Sequence, residues 1–180
     1  MFKDSHFNGN ISDWNVSRVR DMQGMFCGSG FNGNISDWDV SHVQYMPFMF
    51  KNSGFNGNIS GWDVSHVTNM KGMFYMSDFN GNISDWDVSS VKDMYNIFYG
   101  AVNFNQDLSK WNVSKVKFHN NMFVDCPLED MPDRQPKFKV NEDFMDNSDI
   151  KLDDVSVIED LRKELQRWID NDDVELSFDP

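Results

Sequence analysis

The sequence predicts an α/β repeat fold: a solenoid of about five coils with a narrow parallel sheet, closed by a C-terminal helix. Three observations carry this. The phrase FNGNISDWDVS stands at 31–41 and again at 79–89, with one letter changed at 7–17 and 55–65 and a looser copy, FNQDLSKWNVS, at 104–114. The copies start at Phe7, Phe31, Phe55, Phe79 and Phe104, a period of 24 with one residue added before the last. A fixed period of this size marks units that bury their apolar faces only by stacking. Finally, each unit holds two periodicities, one suited to a strand and one to a helical turn.

In the first unit the apolar positions are Ile11, Trp14, Val16, Val19, Met22, Met25 and Phe26. The second repeats them as Ile35, Trp38, Val40, Val43, Met46, Met49 and Phe50. Trp-x-Val alternates at two and predicts a short strand. Val-x-x-Met-x-x-Met-Phe advances by three and predicts one or two helical turns. Asn8-Gly9, Asn32-Gly33, Asn56-Gly57 and Asn80-Gly81 are expected to supply positive φ where the chain turns back. Stacked strands would lie about 4.8 Å apart, with Trp14, Trp38, Trp62, Trp86 and Trp111 in an internal column and the methionines filling the core.

The 1–126 array is followed by an acidic segment, 127–180. The net charge of −13 is concentrated there: 17 Asp+Glu against 7 Lys+Arg, compared with 12 against 9 in 1–126. Residues 127–149 carry three prolines and read as a wrapping loop or linker. Ser156-Val-Ile-Glu159 is a capping box opening a helix over about 156–169, whose Leu165 and Trp168 are expected to cap the last coil, where His119 replaces a core methionine. The N-terminal edge has no such cap and offers a route to a homodimer through edge pairing.

The repeat FNGNISGWDVSHVTNMKGMF at 55–74, together with Ile35-Ser-Asp-Trp38-Asp-Val40 as a variant of Leu-x-x-Leu-x-Leu, resembles the BspA-like leucine-rich-repeat proteins, a family of bacterial surface and viral proteins largely of unknown function. The resemblance covers roughly residues 1–126. It implies a right-handed, leucine-rich-repeat-like arc with a partner-binding role.

Residues flanking the inward Trp and Val are expected on the concave face: Asp13, Asp37, Gly61, Asp85 and Lys110 in one column, Asn15, Asp39, Asp63, Asp87 and Asn112 in the next. Carboxylates about 5 Å apart repel by roughly 0.8 kcal/mol even in water. Serine hydroxyls at 17, 41, 65, 89 and 114, a cation or a cationic partner could offset that. Two readings stay open, an internal Asp–Ser network and a partner surface formed by Asp37, Asp39, Asp63, Asp85 and Asp87 with His42 and His66. The DVSH runs at 39–42 and 63–66 do not predict a hydrolytic triad, which needs histidine between the other two groups. No catalytic, metal or cofactor site is expected.

Cys27 and Cys126 fall about four layers apart, too far for a disulfide, and predict free thiols. No apolar run reaches membrane-spanning length, and the start lacks an apolar leader region. These features predict a cytoplasmic protein, or a cell-surface one if a leader has been removed. Direct nucleic-acid binding is disfavoured by the acidity. The expected function is a non-enzymatic recognition module for a protein partner, basic if charge decides the pairing. The alternative is a cytosolic, viral-type acidic inhibitor that occupies a basic nucleic-acid-binding surface.

Overall fold

The structure is a computed structural model that describes residues 1–138. The repeat units do stack. The N–H groups of Met22, Gly24, Phe26 and Gly28 donate to the carbonyls of Tyr45, Pro47, Met49 and Lys51 at 2.8–2.9 Å. Met46, Phe48, Phe50 and Asn52 donate onward to Asn69, Lys71, Met73 and Tyr75, and the same set recurs at the next two junctions. Parallel bridges pair Asp21, Tyr45, Asn69, Asp93 and Phe118 in turn.

The backbone of each layer is not α/β, and this corrects the expected fold class. Among the described residues there is no α-helix and no strand longer than a single bridge; the regular elements are two 3₁₀ turns, Pro127–Asp130 and Pro132–Arg134. The three-residue spacing is that of consecutive tight turns. Trp14 N–H bonds to Ile11 C=O, Val19 to Val16, Met25 to Met22, and Ser29 to Phe26, so the first three of these turns each pair two apolar residues. A helix would spend every N–H beyond its first turn on its own segment. Here alternate N–H groups leave the layer, because the chain passes through left-handed φ at Gly24 (57°) and Gly28 (63°). Both columns continue: Phe48, Gly72, Asn96 and Asn121 follow Gly24, while Asp4 precedes and Asn52, Met76, Gly100 and Asp125 follow Gly28. Nine of these eleven residues are Gly, Asn or Asp, the types that tolerate this conformation at least cost. The expected parallel sheet is therefore replaced by a ladder of turns.

The Asn-Gly pairs have a different role from the one their composition suggested. Gly9, Gly33, Gly57 and Gly81 are not at positive φ. A Cβ on any of them would lie 2.6–2.8 Å from the Phe ring two residues earlier. The asparagines form a ladder of their own: the side-chain oxygens of Asn8, Asn32, Asn56 and Asn80 accept the N–H of Asn32, Asn56, Asn80 and Asn105 at 2.8–3.1 Å.

Inside, phenylalanines rather than tryptophans form the continuous ring stack. One column runs Phe2, Phe26, Phe50, Phe74, Phe98 and Phe123, with centroids 5.5–5.9 Å apart. A second runs Phe7, Phe31, Phe55, Phe79 and Phe104 at 6.2–6.3 Å. Within a layer the two columns touch at 4.1–4.5 Å. Each buried Trp instead locks two layers together: the indole N–H of Trp38, Trp62, Trp86 and Trp111 donates to the carbonyl of Ile11, Ile35, Ile59 and Ile83. Trp14, in the first layer, is 42% exposed. The core methionines Met22, Met46, Met49, Met70, Met73, Met94 and Met122 are buried.

The added residue before the last copy has a local cause. Ser29, Ser53 and Ser77 accept the N–H of Phe31, Phe55 and Phe79 on their hydroxyl oxygens. Ala101 fills that column without a hydroxyl, and its own carbonyl accepts the N–H of Phe104 across the extra residue. Beyond Cys126 the two 3₁₀ turns cover the last layer. Leu128 is fully buried, Leu108 N–H bonds to Arg134 C=O, and the Phe138 ring stacks on His119 at 3.9 Å. The helix expected over about 156–169, with the cap through Leu165 and Trp168, lies outside the described residues.

Candidate functional site

The carboxylates expected on a sheet face sit in turns. Asp39 Oδ1 accepts the backbone N–H of Ser41 at 3.1 Å and its hydroxyl at 2.6 Å. Asp63 and Asp87 accept the N–H of Ser65 and Ser89 at 3.0 Å. Asn15 and Asn112, in the same column, accept the N–H of Ser17 and Ser114 in the same way. Asp and Asn are thus interchangeable as caps of this turn, and only Asp adds charge. All three aspartates are exposed. The serine hydroxyls, then the serine N–H groups, hold the Asp39, Asp63 and Asp87 carboxyls below their ordinary value; the Ser109 groups do the same for Asp107. These groups stay ionised, one per layer, at fixed positions. Their contribution to stability is present above the unfolded aspartate value of about 3.9 and is lost as pH falls through the lowered folded values.

Asp37 and Asp85 are exposed in the neighbouring column, and Ser36 Oγ donates to Asp37 at 3.3 Å. His42 and His66 are exposed, with Nδ1 3.2 and 3.3 Å from Ser41 and Ser65 Oγ. Asp39, Ser41 and His42 therefore do meet, but with serine in the middle. The Ser41 proton is given to Asp39, so the histidine Nδ1 must supply the hydrogen in the other bond. In an acyl-transfer triad the imidazole takes the serine proton from a position between the two. Among the described residues, no group of three or more His, Cys, Asp or Glu is arranged to hold a metal. Cys27 and Cys126 are free, and burial raises both thiols.

The layers that carry this cap lie within the residues that a known family model matches. The model described as "Mycoplasma protein of unknown function, DUF285" matches residues 1–78 and again 52–166. The chain belongs to DUF285. No curated protein and no solved structure matches it significantly. The DUF285 match identifies a repeat family and leaves its function unassigned. Within this DUF285 chain, sequence reasoning missed a second surface strip, where half-buried Lys51 and Lys71 lie over aromatic rings. Its signal was available: Phe48 and Met76 break the Gly/Asn/Asp columns.

In the DUF285 layers one aspartate runs against the trend. Asp93 accepts the Tyr95 N–H at 2.9 Å, and burial raises its carboxyl above the ordinary value despite the opposing Tyr95 bond and nearby Lys71. Its folded form favours the proton, so its contribution is fullest below the unfolded value and is lost as pH rises through the folded one. Asn69, one layer earlier, makes the same bond to Lys71 N–H at 2.8 Å. Asp93→Asn is therefore expected to raise the urea midpoint at about pH 7 and to gain less near pH 4, where the wild-type carboxyl is taking up its proton. A lower midpoint at neutral pH would show that attraction to Lys71 outweighs desolvation.

Proposed function

We propose that this chain is a non-enzymatic recognition module that binds a basic macromolecular partner through the exposed carboxylate columns. The observation that carries the reading is the serine-capped Asp39–Asp63–Asp87 column. Its charges are held in place before any partner arrives, which reduces the ordering cost of binding. Asp37 and Asp85 widen the anionic face, and His42 and His66 border it. A recognition role of this kind is also what the resemblance of the repeat to BspA-like proteins implies. The free thiols support a reducing compartment.

The Asn-for-Asp equivalence in this column gives a clean test. The triple variant Asp39→Asn, Asp63→Asn, Asp87→Asn keeps the three caps and removes three charges. Its urea midpoint should stay close to that of wild type. Its affinity for a labelled lysine-rich peptide, read by fluorescence anisotropy at low salt, should fall about tenfold, as expected when several exposed charge contacts of up to 1 kcal/mol are lost together. Unchanged affinity in a folded triple variant would refute the assignment.

A further inference from the structure

The geometry points to a second docking surface, a strip of lysines and aromatic rings that receives an acidic polypeptide segment carrying interleaved apolar side chains. The strip runs across three layers. Lys51 Nζ lies 5.3 Å from the Phe48 ring and 5.1 Å from that of Tyr75. Lys71 Nζ lies 5.5 Å from the same Phe48 ring and 5.5 Å from that of Tyr95. Tyr75 stacks on Tyr99 at 5.1 Å. Met76 and Tyr45, on the same turns, are 52% and 47% exposed.

Two independent features mark the strip as more than a solvated face. First, Phe48 (φ 56°) and Met76 (φ 49°) hold a conformation that every other member of their columns reaches as Gly, Asn or Asp. Bulky residues at positive φ are strained, and such strain concentrates at functional sites. A Cβ on Gly72 would lie 2.5 Å from the Phe48 ring, and one on Gly100 would lie 2.9 Å from Met76 Cγ. Both glycines leave room for the bulky side chain of the preceding layer. Second, both ammonium groups lie over rings rather than in an ion pair with a carboxylate of the described residues. Asp93 is the carboxylate near Lys71, and burial favours its protonated form, so it offsets little of the strip's positive charge.

The chemistry selects the occupant. Lysines and ring stacking already engage ring faces, so a sugar has little platform to stack on. Ring edges carry the positive end of the quadrupole and, with the two ammonium groups, favour carboxylates. Exposed Met76 and Tyr45 add apolar surface that a phosphate or sulfate polymer would leave uncovered. A polypeptide with alternating acidic and apolar side chains matches both. This surface is distinct from the carboxylate columns, and the proposal stands whether or not they bind a basic partner.

The test uses the full chain and a labelled random copolymer of glutamate and tyrosine, with polyphosphate, heparin and single-stranded DNA as competitors. Wild type should bind the copolymer, and Lys51→Gln with Lys71→Gln should weaken it about tenfold. Phe48→Asn, a residue its column already accepts at Asn96 and Asn121, should weaken binding as much while leaving the fold at least as stable. The Asp39/Asp63/Asp87→Asn variant should bind the copolymer undiminished, which separates failure of this site from failure of the other. Binding equal to that of wild type by the lysine pair variant or by Phe48→Asn, or no binding by wild type, overturns the proposal. Displacement of the copolymer by polyphosphate, heparin or DNA at lower concentration than by unlabelled copolymer overturns the choice of occupant.

Discussion

Phe74→Ala should cost about 3–5 kcal/mol, the range for emptying a buried aromatic position, and a chain of this size should then be close to unfolding at ambient temperature. Phe74 is fully buried at the centre of the ring stack. It lies 5.7 Å from Phe50, 5.5 Å from Phe98 and 4.3 Å from Phe79. Layer spacing is held on both sides by the backbone bonds of Phe50 N–H to Met73 C=O and Phe74 N–H to Ile97 C=O. The stack therefore cannot collapse into the gap, and the cavity term should be felt almost in full. Urea denaturation followed by tryptophan fluorescence measures it. Phe2→Ala, in the same column but only partly buried at the first layer, should cost far less. Equal losses at both positions would show that the rings do not act as a stack with a protected centre.

Gly81→Ala is expected to be nearly as damaging, although it adds a single methyl group. The new Cβ would stand 2.6 Å from Phe79 Cζ, 2.7 Å from its Cε2 and 3.4 Å from the Gly57 carbonyl. The Phe79 ring cannot swing aside, because Phe74, Phe55 and Phe104 pack against it. Overpacking of this kind costs about 1–3 kcal/mol. Gly61→Ala is the control. Nothing lies within 4 Å of its Cβ, and equivalent positions in other layers hold Asp or Lys, so it should be neutral. If Gly81→Ala proves as mild as Gly61→Ala, the ring two residues before it has more freedom than its neighbours allow.

The layer register and the inward-facing residues were legible in the sequence, because Ile, Trp, Val, Met and Phe repeat at 24 and each copy must cover the next. The backbone was not. A step of three between Val19, Met22 and Met25 suits a helical turn and a tight turn equally, and periodicity alone cannot separate them. What separates them is the left-handed φ at Gly24 and Gly28 and their columns, whose Gly/Asn/Asp content was visible but overshadowed by the more regular Asn-Gly pairs. Those pairs turned out to serve ring packing and an asparagine ladder. The carboxylate column was legible as a column, since Asp39, Asp63 and Asp87 stand 24 apart. That Asn15 and Asn112 do the same structural work became clear only with the serine caps in place. The lysine strip was legible only through the register, because its contacts between layers join residues 23 or 24 positions apart that meet through stacking.

The way each layer hands its N–H groups to the next also constrains how such a chain can change over generations. Two identical eleven-residue phrases, at 31–41 and 79–89, offer misaligned copying a ready template. Gain or loss of a whole period leaves every donor facing an equivalent acceptor. A partial one puts each Phe, Trp and Asn out of step with its column. The extra residue between Ala101 and Phe104 sits where the Ala101 carbonyl stands in for a missing serine hydroxyl. Length here behaves as a quantity inherited in units of one layer, and the breadth of any surface built on the layers would be inherited with it.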